Sequence, residues 1–218
     1  MGNEDNSSNK EKIRAWLGME IDSYFGDRKY SMLELLGAGV GAEFFLAKQK
    51  GLQKLSCVES DKYKYQHWMI NKLDPLQRLY STKCSIDTFH INLYKFYRKT
   101  KERYDVINFD SMSFAGPKVY RTPGRYSIYE HVQGIFRNKV MADNGLLLLN
   151  VIVGGGMSNL NPRRHEMLTD ANDIWSHVAE AADGYNYDID ISKCVGQSYK
   201  GESARTWMFQ SVIPVSKR

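Results

Sequence analysis

The sequence has no long apolar run, and this absence limits the classes of protein that fit the chain. The longest apolar-rich stretch in its 218 residues runs from Leu146 to Val153. A transmembrane helix needs about 20 apolar residues, so this stretch is too short to span a bilayer. The first ten residues are polar and no apolar stretch follows them, so no secretory signal is predicted. We therefore expect a cytoplasmic protein with no membrane partner.

Cysteine is also scarce, and the histidines follow no metal-binding pattern. The three cysteines, Cys57, Cys84 and Cys194, are far apart and odd in number. This spacing predicts free, inert thiols in a reducing compartment and no disulfide framework. The chain contains neither CxxC nor HExxH, so no metal is predicted. The net charge of +5 permits an anionic partner without requiring one.

The order of the apolar segments predicts an α/β protein. We expect residues 1–10 to be a disordered polar N-terminus and residues 11–218 to form one domain that begins with an amphipathic helix. Five predicted strands then alternate with helices, and two strand-like runs close the chain, which indicates a Rossmann-like, doubly wound, mostly parallel seven-stranded sheet with a C-terminal antiparallel pair. The seven runs are "YSMLELL", "KLSCVES", "STKCSID", "YDVINFD", "LLLLNVIV", "YNYDIDISKCV" and "RTWMFQSVIPV".

The stretch "YSMLELLGAGVGAEFF", residues 30–45, reads as a strand, a glycine-rich turn and a helix. Glycines in such a turn allow a ligand to lie against the backbone, and the helix start offers unpaired N–H groups. Glu34 lies inside the strand, where burying a carboxylate costs free energy unless a partner compensates for it. Glu59 ends the second strand, where an acid commonly accepts hydrogen bonds from ribose hydroxyls. The pattern predicts a nucleotide-like ligand beyond the carboxyl ends of the strands.

A nicotinamide dinucleotide is one candidate for this ligand. Gly37, Gly39 and Ala42 satisfy the G-x-G-x-x-G/A pattern, and an acid follows about 20 residues later. NAD accounts for neither Glu34 nor the closing strand pair. A tight turn that holds no ligand is a further alternative.

Several of these segments together resemble one family. "LELLGAGVGAEFF" is similar to motif I of the class I S-adenosylmethionine-dependent methyltransferases, which have a Rossmann-like, seven-stranded fold. "CVESD" and "CSIDTF" look like the second and third motifs, and "YDVINFDSMSF" looks like motif IV. "TWMFQSVIPV" resembles the seventh, antiparallel strand of that family. The resemblance covers about residues 28–216 and implies a methyltransferase with S-adenosyl-L-methionine as cofactor.

Transferred position by position, the resemblance implies a set of cofactor-binding residues. The glycine turn would face the methionine portion, Glu34 would order that turn, and Glu59 would bind the ribose. Asp87 and Thr88 would border the adenine, and Asp110 would face the transferred methyl group. The full cofactor set is Glu34, Gly37, Ala38, Gly39, Gly41, Glu59, Ser60, Asp87, Thr88 and Asp110.

The resemblance also suggests catalytic residues. Methyl transfer is a direct displacement, so the protein mainly aligns the reacting atoms. Asp110 is the candidate for orienting or deprotonating a substrate nitrogen or oxygen, with Asn108 or Ser111 as hydrogen-bonding partners. A loop-capping carboxylate is the alternative interpretation of Asp110.

The identity of the methyl acceptor is less clear from the sequence. "DSMS" departs from the [D/N]-P-P-[Y/F] pattern of enzymes that methylate base amines, which argues against adenine N6 and cytosine N4. Cations interleaved with rings suit phosphates and bases, which predicts RNA, ahead of DNA, as the acceptor. A solvated basic loop is the alternative. These predicted substrate-binding residues, the substrate rim, are Lys118, Tyr120, Arg121, Arg125, Arg163 and Arg164.

Other functions remain open on the sequence alone. The chain could be a small-molecule or protein methyltransferase, or a NAD-dependent oxidoreductase. It could also be a catalytically silent cofactor-binding subunit that supports a partner subunit. A homodimer is possible as well.

Overall fold

A computed structural model describes residues 4–36, 40–114, 128–155, 171–200 and 206–218. The helices are α1 (Glu4–Phe25), α2 (Val40–Lys48), α3 (Lys62–Trp68), α4 (Asp74–Tyr80), α5 (Leu93–Lys99), α6 (Ile128–Arg137) and α7 (Ala171–Asp183). The strands are β1 (Tyr30–Leu35), β2 (Leu52–Glu59), β3 (Ser85–His90), β4 (Tyr104–Phe114), β5 (Met141–Gly155), β6 (Tyr187–Asp188), β7 (Val195–Lys200) and β8 (Thr206–Lys217). No described helix is long and apolar enough to cross a membrane.

One sheet holds all of these strands, in the order β3-β2-β1-β4-β5-β8. The first five run parallel, and β8 is antiparallel to β5. Both β6 and β7 pair antiparallel with the outer edge of β8. The predicted fold class is therefore confirmed. The strand order reverses at β1, between β2 and β4, which is where open α/β sheets bind ligands.

The closing hairpin differs from the prediction. The run "YNYDIDISKCV" is not one strand, because β6 has two residues and a short 3₁₀-helix, Ile191–Lys193, follows it. The Asp190 side chain accepts a hydrogen bond from the Ser192 backbone N–H at 3.1 Å and stabilises this turn. The composition of "GQSYKGES" predicts a turn, but "GQSYK" belongs to β7. Its strand conformation comes from pairing with β8, a tertiary contact that local propensity does not reveal.

Helices cover both faces of the sheet. On one face α1, α2, α3 and α4 pack over β1 and β2, with Ile21, Met32 and Leu46 buried. On the other face α5, α6 and α7 pack over the sheet, with Phe109 and Ile135 buried.

Two helices differ in extent from the prediction. The first begins at Glu4, so residues 4–10 are helical and not the predicted disordered segment. Helix propagation outward from the packed part of α1 costs little per residue, which explains the extension. A cap at Asp61 predicts a helix over about residues 62–73, but the helical segment continues to Tyr80 and contains a π-helical turn, Met69–Leu73. The turn directly precedes Asp74 and Pro75, where the missing proline N–H interrupts the α-helical hydrogen bonds.

The three cysteines are free and buried. Burial raises the pKa of the Cys84 thiol to about 11 and that of Cys194 to about 12. It also raises the pKa of Cys57 well above its usual value. Because the thiolate is the reactive form, the burial of these thiols supports the prediction that they are inert.

Candidate active site at the carboxyl ends of the strands

The centre of the candidate site is a buried pair on neighbouring strands, Glu34 of β1 and Asn108 of β4. The two residues stand opposite each other in the parallel register, and Asn108 Nδ2 donates to Glu34 Oε2 at 2.7 Å. Only 3% of Glu34 and 6% of Asn108 is exposed. The pKa of Glu34 is raised to about 8, mainly by burial; the Asn108 hydrogen bond opposes this shift and the negative charge of Asp110 adds to it. A nearby positive charge would therefore favour the ionised form of Glu34.

Gly41, the second residue of α2, explains how the Glu34 carboxyl reaches the helix. A Cβ added to Gly41 would lie 2.5 Å from Glu34 Oε1, a distance that only glycine permits. The carboxyl therefore lies against the first turn of α2, where the helix dipole favours negative charge. Gly37, Ala38 and Gly39 lie outside the described residues.

The first helix also contributes charge to this region. Arg14 of α1 is half-buried, and its positive charge acts to lower the pKa of Glu34. The N-terminal helix thus places a cation near the glutamate, which the sequence did not indicate.

The end of β2 carries the second predicted acid. Glu59 is half-buried, and its Oε1 accepts a hydrogen bond from the Asp61 backbone N–H at 2.8 Å. Ser60 is exposed, and its carbonyl lies 3.3 Å from His90 Nε2. The Tyr65 ring stacks on His90 with a centroid separation of 5.0 Å. This strand end thus combines a carboxylate with two rings, His90 and Tyr65, that the sequence analysis missed.

Asp87 lies before the carboxyl end of β3 and pairs with a lysine. It stands in the first half of β3, and Lys54 Nζ lies 3.1 Å from its Oδ2 and 2.7 Å from Glu102 Oε1. The predicted third strand ended at Asp87, but β3 runs from Ser85 to His90 and ends three residues farther along the chain. His90 is the residue that stands opposite Glu59 in the register.

Thr88 does not reach the strand end either. Its hydroxyl donates to Met69 Sδ at 3.3 Å, beside the π-helical turn. Its position beside the adenine was implied by the resemblance of "CSIDTF" to the third motif of the methyltransferase family.

Asp110 forms the other half of the site, together with a residue from β5. Asn150 stands opposite Asp110 in the register and donates from Nδ2 to Asp110 Oδ1 at 2.6 Å. The same nitrogen donates to the Tyr199 hydroxyl of β7 at 2.7 Å. Asp110 is exposed, whereas Asn150 and Tyr199 are buried. The backbone of Ser111 continues β4, but its side chain lies outside the described residues.

Asn150 was missed although the sequence held a signal for it. It interrupts the apolar run "LLLLNVIV", and a buried amide in a central strand needs hydrogen-bond partners. Tyr199 gave no such signal, because it belongs to the segment that was predicted as a turn.

Two side-chain oxygens at this edge are buried and accept no hydrogen bond from the residues that the structure describes. They are Asn108 Oδ1 and Asn150 Oδ1. A buried acceptor without a donor costs free energy, so each such atom in a native protein needs an explanation. A bound ligand that donates N–H or O–H groups would supply one.

Other predicted parts of the site lie beyond the described residues. This applies to the whole substrate rim: Lys118, Tyr120, Arg121, Arg125, Arg163 and Arg164. Within the described part of the chain, no group of three or more His, Cys, Asp or Glu side chains could hold a metal ion.

Comparisons with known proteins give matches at the level of structure. No protein-family model and no curated protein matches the sequence. A putative sarcosine dimethylglycine methyltransferase from Galdieria sulphuraria matches with a TM-score of 0.59 and 12% identity, over 100% of this chain and 92% of that chain. M. jannaschii TYW2 in complex with AdoMet matches with a TM-score of 0.56 and 10% identity, over 96% of this chain and 76% of that chain.

A third match is an enzyme with a different activity. Spermidine synthase from Thermotoga maritima has a TM-score of 0.51 and 12% identity, over 92% of this chain and 58% of that chain. The chain thus has the Rossmann-like fold that methyltransferases share, and the fold by itself does not determine the reaction.

Proposed function

We propose that this protein is an S-adenosylmethionine-dependent methyltransferase. The observation that carries the proposal is the buried Glu34–Asn108 pair under Gly41, at the point where the strand order reverses. A ligand there meets a carboxyl whose pKa is near 8, so a cationic ligand gains by holding it ionised. The cofactor carries a sulfonium and an α-ammonium group, both of which suit this charge.

The described residues fit the rest of the cofactor as well. Glu59 offers its carboxylate at the end of β2, which is where ribose hydroxyls bind in this class of sheet. His90 and Tyr65 provide flat surfaces beside it for a purine ring. When bound, the cofactor supplies an electrophilic methyl group. Asp110 and Asn150 would then orient the incoming nucleophile at the neighbouring strand ends.

The acceptor that we propose is nucleic acid, with RNA preferred. Support comes from the first turn of α3, which directly follows Glu59 and carries Lys62, Tyr63 and Lys64. Both lysines are exposed, and Tyr63 is 83% exposed. The Asp61 side chain caps this turn by accepting from the Tyr63 and Lys64 backbone N–H groups. Lysines on both sides of an exposed ring suit a phosphate chain and a stacked base.

Charge reversal tests this acceptor. The double variant Lys62→Glu and Lys64→Glu should weaken binding of an in vitro transcribed tRNA, and wild-type binding should weaken with salt. Lys101→Glu is the matched control, because this exposed lysine precedes β4 at the opposite edge of the sheet. Equal tRNA affinity in all three proteins, or binding that does not respond to salt, would reject RNA as the acceptor.

A small-molecule acceptor is the second candidate. The putative sarcosine dimethylglycine methyltransferase covers this chain completely and extends little beyond it. Absence of tRNA binding together with methyl transfer to a small amine would favour this candidate.

Transfer of a labelled methyl group from S-adenosylmethionine tests the activity itself. Wild-type protein should label an in vitro transcribed tRNA pool or, failing that, a mixture of small amines. Asp110→Ala should lower the rate about 100-fold or more if Asp110 orients the nucleophile. Unchanged turnover in Asp110→Ala would remove that residue from the mechanism.

A further inference from the structure

The orientation of the Asn150 amide is fixed by its partners. A neutral amide nitrogen has two protons, and Asn150 Nδ2 donates one to Asp110 Oδ1 and the other to the Tyr199 hydroxyl. A carboxylate only accepts hydrogen bonds, so the nitrogen must face Asp110. Asn150 Oδ1 therefore points elsewhere, and it is buried without a donor.

Asn108 repeats this arrangement on the adjacent strand. Its Nδ2 donates to Glu34, and its Oδ1 is likewise buried without a donor. Asn108 and Asp110 are two residues apart on β4 and so face the same side of the sheet. Asn150 joins them in register from β5. We call the Oδ1 atoms of these two amides, together with the Asp110 carboxylate, the oxygen patch. From the rise along a strand and the spacing between neighbouring strands, the patch is about 5–7 Å wide.

The position of the oxygen patch separates it from the proposed cofactor site. The methionine portion of the cofactor would lie at the glycine turn after β1. Asn150 is on β5, two strands away from β1, or about 10 Å at the usual strand spacing. The part of the patch that Asn150 forms therefore faces the methyl acceptor, and only Asn108 lies next to the cofactor.

The chemistry of the patch selects the kind of atom that it can hold. Its three members offer acceptors and, toward the ligand, no donor. As a methyl acceptor, a carbon atom offers no hydrogen-bond donor and a hydroxyl group offers one. An amino group offers two or three N–H donors. We infer that the methyl acceptor is an amino group, positioned by Asp110 and Asn150. This inference rests on the proposed function, because it names the acceptor atom of the same reaction.

The reaction balances with these residues. The nitrogen lone pair forms the new N–C bond while the S–C bond breaks and its electron pair goes to sulfur. The nitrogen then carries one positive charge, and it loses that charge when one of its protons passes to the Asp110 carboxylate. Asp110 is exposed, so it can release the proton to water. Asn150, buried and doubly hydrogen-bonded, holds the carboxylate in position.

This inference revises the sequence-based argument against base amines. The missing [D/N]-P-P-[Y/F] pattern excludes one way of building an amine site from the β4 loop alone. In this chain β5 supplies an amide instead, and β7 fixes its orientation. An exocyclic amino group of a base and a small-molecule amine both fit the patch.

Probes that extend from the cofactor site can test the inference without a known substrate. We would titrate the protein calorimetrically with three analogues of S-adenosylmethionine in which the transferable methyl group is replaced by an aminoethyl, a hydroxyethyl or a propyl arm. The aminoethyl analogue should bind about tenfold or more tighter than the other two, as expected for charge-assisted hydrogen bonds. Equal or tighter binding of the propyl analogue would overturn the inference.

Variants show whether the patch causes the preference. Asn150→Leu keeps the volume but removes the amide, and Asp110→Asn keeps the shape of an exposed side chain while removing its charge. Each should reduce the preference to about threefold or less, and the affinity for S-adenosylhomocysteine, measured in parallel, shows whether the cofactor site itself is intact. Gln210→Met is the matched control, because Gln210 is a buried amide opposite Asn150 on β8. A preference that survives in both patch variants would contradict the assignment.

The outcomes also separate the inference from the proposed function. If S-adenosylhomocysteine and all three analogues fail to bind, the proposed function and the inference both fall. If S-adenosylhomocysteine binds but the aminoethyl analogue does not bind more tightly than the other two, only the inference is rejected. A failure of tRNA binding removes the RNA acceptor and leaves the amine preference to be measured by the same titrations.

Discussion

A Cβ on Gly41 would lie 2.5 Å from Glu34 Oε1, so these two residues depend on each other. Real Cβ atoms are not found so close to a neighbouring oxygen, so the Glu34 carboxyl, which is buried and accepts from Asn108 Nδ2 through its other oxygen, would have to shift. The glycine therefore serves a packing need at this position, independently of any ligand.

We expect Gly41→Ala to destabilise the protein by about 1–3 kcal/mol through this clash. It should also weaken S-adenosylhomocysteine binding, because relief of the clash displaces either Glu34 or the start of α2. Urea denaturation and calorimetry measure the two effects. Gly184→Ala is the matched control, since a Cβ there meets no atom within 4 Å. Equal stability of the two variants would contradict the contact.

Glu34 should make stability depend on pH. Burial raises its pKa from 4.5 in the unfolded chain to about 8 in the folded protein. Between these values the folded state holds a proton that the unfolded state has lost, so the free energy of unfolding falls as pH rises. Glu34→Gln removes this dependence. We expect its stability relative to wild type to rise by on the order of 2–4 kcal/mol between pH 5 and pH 8.

Urea denaturation at both pH values measures this change. Glu102→Gln is the control, because the hydrogen bond from Lys54 lowers the pKa of Glu102. Its contribution to stability is present above its unfolded pKa of 4.5 and is lost only as the pH falls through the lower folded pKa. Its difference from wild type should therefore stay constant between pH 5 and pH 8. A constant difference for Glu34→Gln as well would show that Glu34 titrates normally.

We predict that substitutions at Asp87 and at His90 have different effects on cofactor binding. Asp87 is paired with Lys54 away from the strand ends, so Asp87→Ala should leave the Kd for S-adenosylhomocysteine unchanged. His90 stacks on Tyr65 opposite Glu59, so His90→Ala should raise the Kd roughly three- to tenfold. Calorimetry on both variants measures these Kd values. A larger increase in Asp87→Ala than in His90→Ala would support the sequence-based position of Asp87 beside the adenine.

The thiols should be protected in the native state. All three cysteines are buried, and burial raises the pKa of each. At pH 8 a thiol-specific reagent such as DTNB should modify almost none of them within minutes, and three per chain after denaturation in guanidinium. Rapid modification of one thiol in the folded protein would mean that its site opens readily.

The sequence revealed those parts of the site that a single segment carries. Glu34, Glu59 and Asp110 each lie within or at the end of an apolar run, so their place toward the carboxyl ends of the strands could be predicted. The error at Asp87 came from placing the end of β3 three residues too early. Because side chains alternate along a strand, an odd shift also moves the side chain to the other face.

The remaining parts depend on contacts between distant segments. Tyr199 reaches Asn150 because β7 pairs with β8, and "GQSYK" has no local strand signal of its own. Arg14 comes close to Glu34 because α1 packs on the same face of the sheet as α2. No pattern within either segment encodes these arrangements.

The most direct test of the central claim is calorimetric titration of the wild-type protein with S-adenosylhomocysteine, with NAD as the comparison. We predict micromolar binding of S-adenosylhomocysteine, no binding of NAD, and a Kd at least about tenfold higher in Glu59→Ala, since a carboxylate that accepts ribose hydroxyls forms charge-assisted hydrogen bonds. Binding of NAD alone would contradict the proposed function and make the glycine turn a dinucleotide site, and binding of neither compound would contradict the cofactor assignment.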